Sequence, residues 1–230
     1  MDTEMNKLYH FFWYKIVSKF ISHTPGVTGH HKIITAKLKL ARIFGVVHGV
    51  MLGDSEIATW DICELMSGFQ SLVVNIGVPG STPLDWFKYF TTMGKSNYLL
   101  IKSWTKAKPI FSIGGNCSLL CKMAEIPDTM ILIHNMFQGS WILLIPPVYS
   151  EWMAKLYTAA GFQKSQEIIE AEISTIRNYQ RQIWSPFVID TYAPFVNKET
   201  GGPLPGVLID LVHFSSEADR LIEAVLNKII

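Results

Sequence analysis

From about residue 42 onward the chain alternates short apolar runs with longer amphipathic segments, and few architectures accept that alternation. The runs are Ile43 to Leu52, Leu72 to Ile76, Ile110 to Ile113, Trp141 to Ile145 and Phe187 to Ile189. Each is rich in β-branched or aromatic residues and ends near Gly, Pro or Asp, as strands buried on both faces of a parallel sheet do. Between them, Glu56 to Met66, Pro83 to Met93, Ser118 to about Phe137 and Ser150 to about Ile183 carry helical spacing. A last helix is expected over Ser216 to Ile230, with Leu221, Ile222, Val225, Leu226 and Ile229 as its apolar stripe. The pattern predicts a three-layer α/β/α sandwich around a central parallel sheet of about five strands.

Composition agrees with such a core. In 230 residues, hydrophobic side chains make up 49% and charged ones only 17%, which excludes a disordered chain. The apolar stretch Leu8 to Ile21 is interrupted by His10, Lys15 and Lys19, short of the roughly 20 clean residues that a spanning helix needs. A net charge of +1 gives no argument for nucleic acid as a partner. That charge is unevenly spread: residues 1–52 carry +5 and residues 53–230 carry −4. The division 1–41 is therefore read as a basic, aromatic N-terminal extension, and 42–230 as the α/β domain. Residues 8–21 fit an amphipathic helix, either packed on the sheet or an oligomer interface, lying in a membrane interface, or covering the site. Three cysteines in a chain of this size imply reduced thiols. With an acidic start and no secretory cleavage pattern, the expected compartment is cytoplasmic.

In a parallel sheet the ligand site lies at the carboxyl ends of the strands. The strand ends carry Gly53-Asp54-Ser55, then Asn75 to Ser81 with Gly77 and Gly80, then Gly114-Gly115-Asn116-Cys117, while Asp210 and His213 follow the fifth strand. A serine hydroxyl is a weak nucleophile until a base takes its proton, and His213 is the candidate base. Asp210, three residues earlier, is placed to fix the imidazole tautomer. The amides of Ser55 and Gly80 and the side-chain NH2 of Asn116 are the candidate oxyanion donors. Ser55 and Asn116 also suit plain helix capping. Cys117, Cys121 and His134 fall one ligand short of a closed zinc site, so no metal is expected, and the chemistry needs no cofactor.

These blocks, in this order, resemble the SGNH hydrolases, also called GDSL-type esterases and lipases. The resemblance covers about residues 42–230 and implies a flavodoxin-like sheet order, Ser55 as nucleophile, Asp210 and His213 completing a triad, and Gly80 and Asn116 in the oxyanion hole. Pro146-Pro147 and Val188 to Asp190 are also similar to that family. Glu56, after the serine, and Cys117, where Asp is usual, depart from the pattern. No Gly-x-Ser-x-Gly elbow is present, against an ordinary α/β-hydrolase. The function so implied is hydrolysis of an O-acyl ester, a short acyl group on a carbohydrate or lipid. The same residues would serve a thioesterase or acyltransferase, and the scaffold alone would serve a binding or assembly protein.

Overall fold

The computed structural model describes residues 2–15, 25–55, 57, 58, 68–120, 122–159, 161, 163–210 and 212–230. Five strands form one sheet in the order β2-β1-β3-β4-β5, every neighbouring pair parallel: β1 (Val47–Gly53), β2 (Leu72–Asn75), β3 (Lys108–Ser112), β4 (Trp141–Leu143) and β5 (Val188–Ile189). The order reverses between β1 and β3, and the carboxyl ends of those two strands flank the switch point where such sheets bind ligands.

Helices cover both faces. They are α1 (Asp2–Lys15), α2 (His31–Phe44), α3 (Pro83–Thr91), α4 (Lys95–Ser103), α5 (Gly115–Leu119), α6 (Ile126–Met136), α7 (Ser150–Ala159), α8 (Gln166–Trp184) and α9 (Ser216–Leu226). The period-2 alternation of the strands divides the core in two. Leu52, Val74, Phe111 and Ile142 pack into one cluster with Ile34, Phe90, Ile133 and Ile176, while Met51, Val73, Ile110 and Leu143 pack into another with Ile222 and Leu226 of α9.

The observed breaks have local causes. The first strand starts at Val47 because Ile34, Leu38 and Ala41 form the buried stripe of α2, which runs to Phe44 and stops at Gly45 (φ +138°). The helix expected over Ser118 to Phe137 is α5, a 3₁₀ turn at Met123–Glu125, and α6, which begins with Pro127 in its first turn. Ser150 to Ile183 is likewise two helices, parted at Gly161 (φ +85°) and restarted at Ser165, whose hydroxyl accepts from the Ile168 amide. Helix α3 starts on a capping box between Thr82 and Asp85, and α4 is an element the periodicity did not reveal. Most of the helix expected over Glu56 to Met66 lies outside the described residues.

The segment set apart as an extension contributes to the same core: Tyr9, Ile34, Leu38 and Ala41 pack with the sheet residues, and the boundary at 42 falls inside α2. Strand β2 is an edge strand, and α1 occupies its free edge. Asn6 Oδ1 accepts from Val73 N at 3.1 Å, and His10 Nε2 donates to Val73 O at 3.1 Å, so both backbone groups that Val73 would leave open at the edge are paired. One of the lysines behind the basic count, Lys37, is buried and donates to Asn75 O at 2.7 Å. On the outer side of α1, Leu8 and Phe11 are exposed; residues 16–21 lie outside the described residues. Among the described residues no helix is long and apolar enough to cross a membrane.

Candidate active site

The nucleophile candidate is placed by a glycine that nothing else could replace. A Cβ on Gly53 would fall 2.2 Å from Ser112 O and 2.9 Å from the Ile57 side chain. The chain passes that close because β1 turns over the end of β3: Asp54 N donates to Ser112 O at 3.0 Å. Gly53 O in turn accepts from Val78 N and from Ser81 Oγ, both at 2.9 Å, which ties the loop after β2 to the end of β1. Asp54 O accepts from Ala58 N at 3.1 Å, the i to i−4 bond that opens a helix, and Ser55 stands in that first turn. Gly77 is required by contact, since a Cβ there would lie 2.7 Å from Ala58 N.

The base candidate sits on a loop closed by its own hydrogen bonds. Leu208 and Phe214 form an isolated antiparallel bridge, and Ile209 N donates to His213 O at 2.9 Å. Inside that loop, Asp210 Oδ1 accepts from Val212 N at 2.9 Å and His213 N at 2.8 Å, leaving Oδ2 for His213 Nδ1 at 2.6 Å. Partial burial alone would raise the Asp210 pKa; the hydrogen bonds from the His213 ring and the two amides outweigh it and hold the carboxyl below its ordinary value. His213 Nε2 is buried and has no hydrogen-bond partner among the described residues.

Asn116 is in the first turn of α5, directly beyond β3. Its Nδ2 donates to Ser81 O at 3.1 Å, which uses one of its two N–H bonds and fixes the amide plane. Ser81 is held in turn: its hydroxyl donates to Gly53 O and accepts from Trp86 Nε1 at 3.0 Å. Trp86 is thus a fully buried support and not a wall of the cavity. Gly80, one residue before Ser81, adopts φ +75°, is exposed, and does not line the cavity.

Ser55, Asn116 and His213 line one cavity of about 50 Å³ with Asp54, Ser112 and Gly115. Its remaining walls are apolar: Ile145, Pro146 and Val148 beyond β4, Met153 of α7, Ile173 of α8, and Val212. Sequence reading missed these walls, because α7 and α8 had been merged and the loop after β4 carried only the two prolines as a signal. It also missed Gln180, which is fully buried on α8. Gln180 donates to Ile113 O at 3.0 Å and accepts from Ile145 N at 3.1 Å, and so bridges the carboxyl ends of β3 and β4. Arg177 of α8 is buried, and its guanidinium stacks 3.6 Å from the Tyr192 ring centroid. Asp190 accepts from the Tyr192 and Ala193 amides and pairs with Arg181, away from the cavity. Burial pushes the Cys117 thiol up to about 12, which suits an inert packing residue. Among the described residues no three His, Cys, Asp or Glu side chains are grouped to hold a metal; Cys63 and Cys121 lie outside them.

No family model and no curated protein matches the chain. Solved structures do. A GDSL-like lipase from Bacteroides thetaiotaomicron is 14% identical, with a TM-score of 0.58 over 86% of this chain and 97% of that one. A candidate SGNH hydrolase from Slackia heliotrinireducens is 14% identical, with a TM-score of 0.59 over 80% and 98%. An acetyl xylan esterase is 12% identical, with a TM-score of 0.52 over 79% and 99%. At these identities the likeness establishes the fold, the three-layer arrangement shared with SGNH and GDSL-type hydrolases.

Proposed function

We propose that this chain is a serine ester hydrolase that acts on small O-acyl esters through an acyl-enzyme. The observation that carries the reading is the state of His213: one ring nitrogen is engaged by Asp210 at 2.6 Å, and the other is buried and unengaged in a cavity shared with Ser55 and Asn116. With Nδ1–H donating to the carboxylate, Nε2 carries the lone pair that a serine hydroxyl needs as its proton acceptor. Ser55 Oγ attacks the ester carbonyl while His213 takes the proton. The resulting oxyanion is met by the Ser55 amide at the start of its helix and by the second N–H of Asn116; Gly80, exposed and off the cavity, is left out of the donor set. His213 then protonates the leaving alkoxide, and a water molecule repeats the sequence on the acyl-enzyme.

The cavity supports a short acyl group. At about 50 Å³ and with apolar walls from Ile145, Val148, Met153 and Ile173, it suits a chain of a few carbons better than a fatty acid. The alcohol part would lie outside it, and a carbohydrate or a lipid headgroup fits that position equally. Two of the similar structures are named a lipase and an acetyl xylan esterase, which agrees with ester hydrolysis.

Hydrolysis of aryl esters of increasing acyl length tests the reading, with a serine-directed phosphonate as covalent label. Turnover highest for acetyl and propionyl esters, with labelling abolished by Ser55→Ala, is the expected result. Wild-type protein that neither turns over any ester in the series nor takes the label would overturn it.

A further inference from the structure

Beside the cavity lies an ion pair that the reaction does not use. Lys164, in the connection between α7 and α8, is almost fully buried, and its Nζ lies 2.5 Å from Glu172 Oε2 on α8. The same ammonium donates to Ser118 O at 2.6 Å and sits 5.2 Å from the Tyr157 ring centroid. Ser118 Oγ donates to the same Glu172 oxygen at 2.6 Å. Two charged side chains therefore converge on one serine, and that serine is two residues from Asn116 on α5.

Stability gives little reason for such an arrangement. Moving a lysine, and in part the Glu172 carboxylate, which stays partly exposed, out of water is expensive, and a buried pair exchanged for apolar side chains of similar size often leaves a fold as stable or more so. Helix α5 supplies the reason. It has five residues, too few to hold a helical orientation on its own hydrogen bonds. Its direction is set by what it is tied to. Lys164 grips the Ser118 carbonyl and Glu172 its hydroxyl, so the backbone is anchored to the connection that leads into α8 and the side chain to α8 itself, the helix that also provides Ile173 to the cavity wall. At the other end, the Asn116 amide is fixed to Ser81 O.

We infer that Lys164 and Glu172 are positioning residues: clamped on Ser118, they hold α5 so that the free N–H of Asn116 points at the oxyanion. The inference rests on the ester-hydrolase reading above and names what orients one of its donors.

A double-mutant cycle on the full chain tests it. The pair Lys164→Met/Glu172→Leu removes both charges together and so avoids an unpaired buried one. It is measured in the wild-type background and in Asn116→Ala, with thermal melts alongside. The expected result is a melt close to wild type, kcat lowered by up to about 100-fold with KM little changed, and almost no further loss when Asn116 is already alanine. Equal losses in both backgrounds, or a folded paired variant with full turnover, would overturn the clamp alone. Absence of turnover and of Ser55 labelling in wild type would overturn the hydrolase reading and the clamp with it. Should the paired variant not fold, Ser118→Ala, which removes only the hydroxyl arm, is expected to show the same dependence on Asn116; its absence would count against the clamp.

Discussion

Asp210 divides its two carboxylate oxygens between its own loop and His213: Oδ1 takes the amides of Val212 and His213, and Oδ2 takes the ring nitrogen at 2.6 Å. That division decides what an isosteric change would do. In Asp210→Asn the single carbonyl oxygen must stay on the two backbone amides, so the NH2 turns to His213 Nδ1. Facing a donor, Nδ1 becomes the acceptor and the proton moves to Nε2, the atom to which the proposed mechanism sends the Ser55 proton. Turnover is expected to fall by about 10³- to 10⁴-fold, with a melting temperature near that of wild type because the loop bonds persist. Unchanged kcat in folded Asp210→Asn would remove Asp210 from the mechanism.

Gly53 is expected to be intolerant of the smallest side chain. A methyl group there meets the Ser112 carbonyl at 2.2 Å and the Ile57 side chain at 2.9 Å, and neither the backbone of β3 nor the helix start can yield without breaking the Asp54 to Ser112 hydrogen bond. Gly53→Ala should cost at least about 3 kcal/mol, in the range of the most damaging single substitutions. Gly80→Ala probes a different constraint. It has open space around it but a left-handed backbone, so its cost is about 1 kcal/mol. Urea denaturation of both variants gives the comparison, and equal costs would contradict it.

A pH dependence follows from His10. Burial foremost, and the nearby Lys37 charge second, lower its pKa to about 3, against the opposing effect of its bond to Val73 O. Between about 3 and the unfolded value of about 6.5, the unfolded chain binds a proton that the folded chain refuses. Stability is therefore fully present above about 6.5 and is lost as pH falls through that window. The slope from this one group is on the order of 1 kcal/mol per pH unit. His10→Gln keeps a donor for Val73 O and removes the titration, so its stability should change less between pH 7 and pH 4.5 than that of wild type. Identical slopes in denaturant titrations at the two pH values would refute the assignment.

The sheet and the pairing of Asp210 with His213 were legible in the sequence for the same reason: each depends on residues close together in the chain. Val73, Ile110 and Leu143 stand in short unbroken apolar runs, and Asp210 and His213 are three residues apart. What escaped detection depends on side chains meeting across the fold. Gln180 and Lys164 look like solvent-facing residues of an amphipathic helix and its loop until β4 and α5 are packed against them. The basic count of the first 52 residues misled in a similar way, since it treats Lys37 as surface charge although its ammonium is buried on Asn75 O. Helix α2 was hidden because its apolar stripe runs straight into β1 with only Gly45 and Val46 between them.

Helix α1 has two faces that are separable by mutation. The inner face closes the edge of β2 through Asn6 and His10 and buries Tyr9; the outer face shows Leu8 and Phe11, 44% and 55% exposed. Asn6→Ala leaves the buried Val73 N–H without its acceptor, which should cost about 1–3 kcal/mol, and the reopened strand edge should make the variant aggregate on partial unfolding. Leu8→Ser/Phe11→Ser changes solvent-facing groups and is expected to alter stability by less than about 0.5 kcal/mol. If residues 8–21 contact a membrane, the outer face carries that contact. Cosedimentation with anionic vesicles should then be lost in Leu8→Ser/Phe11→Ser at an unchanged melting temperature. Equal partition of wild type and variant would leave α1 with only the inner role, as the element that seals β2.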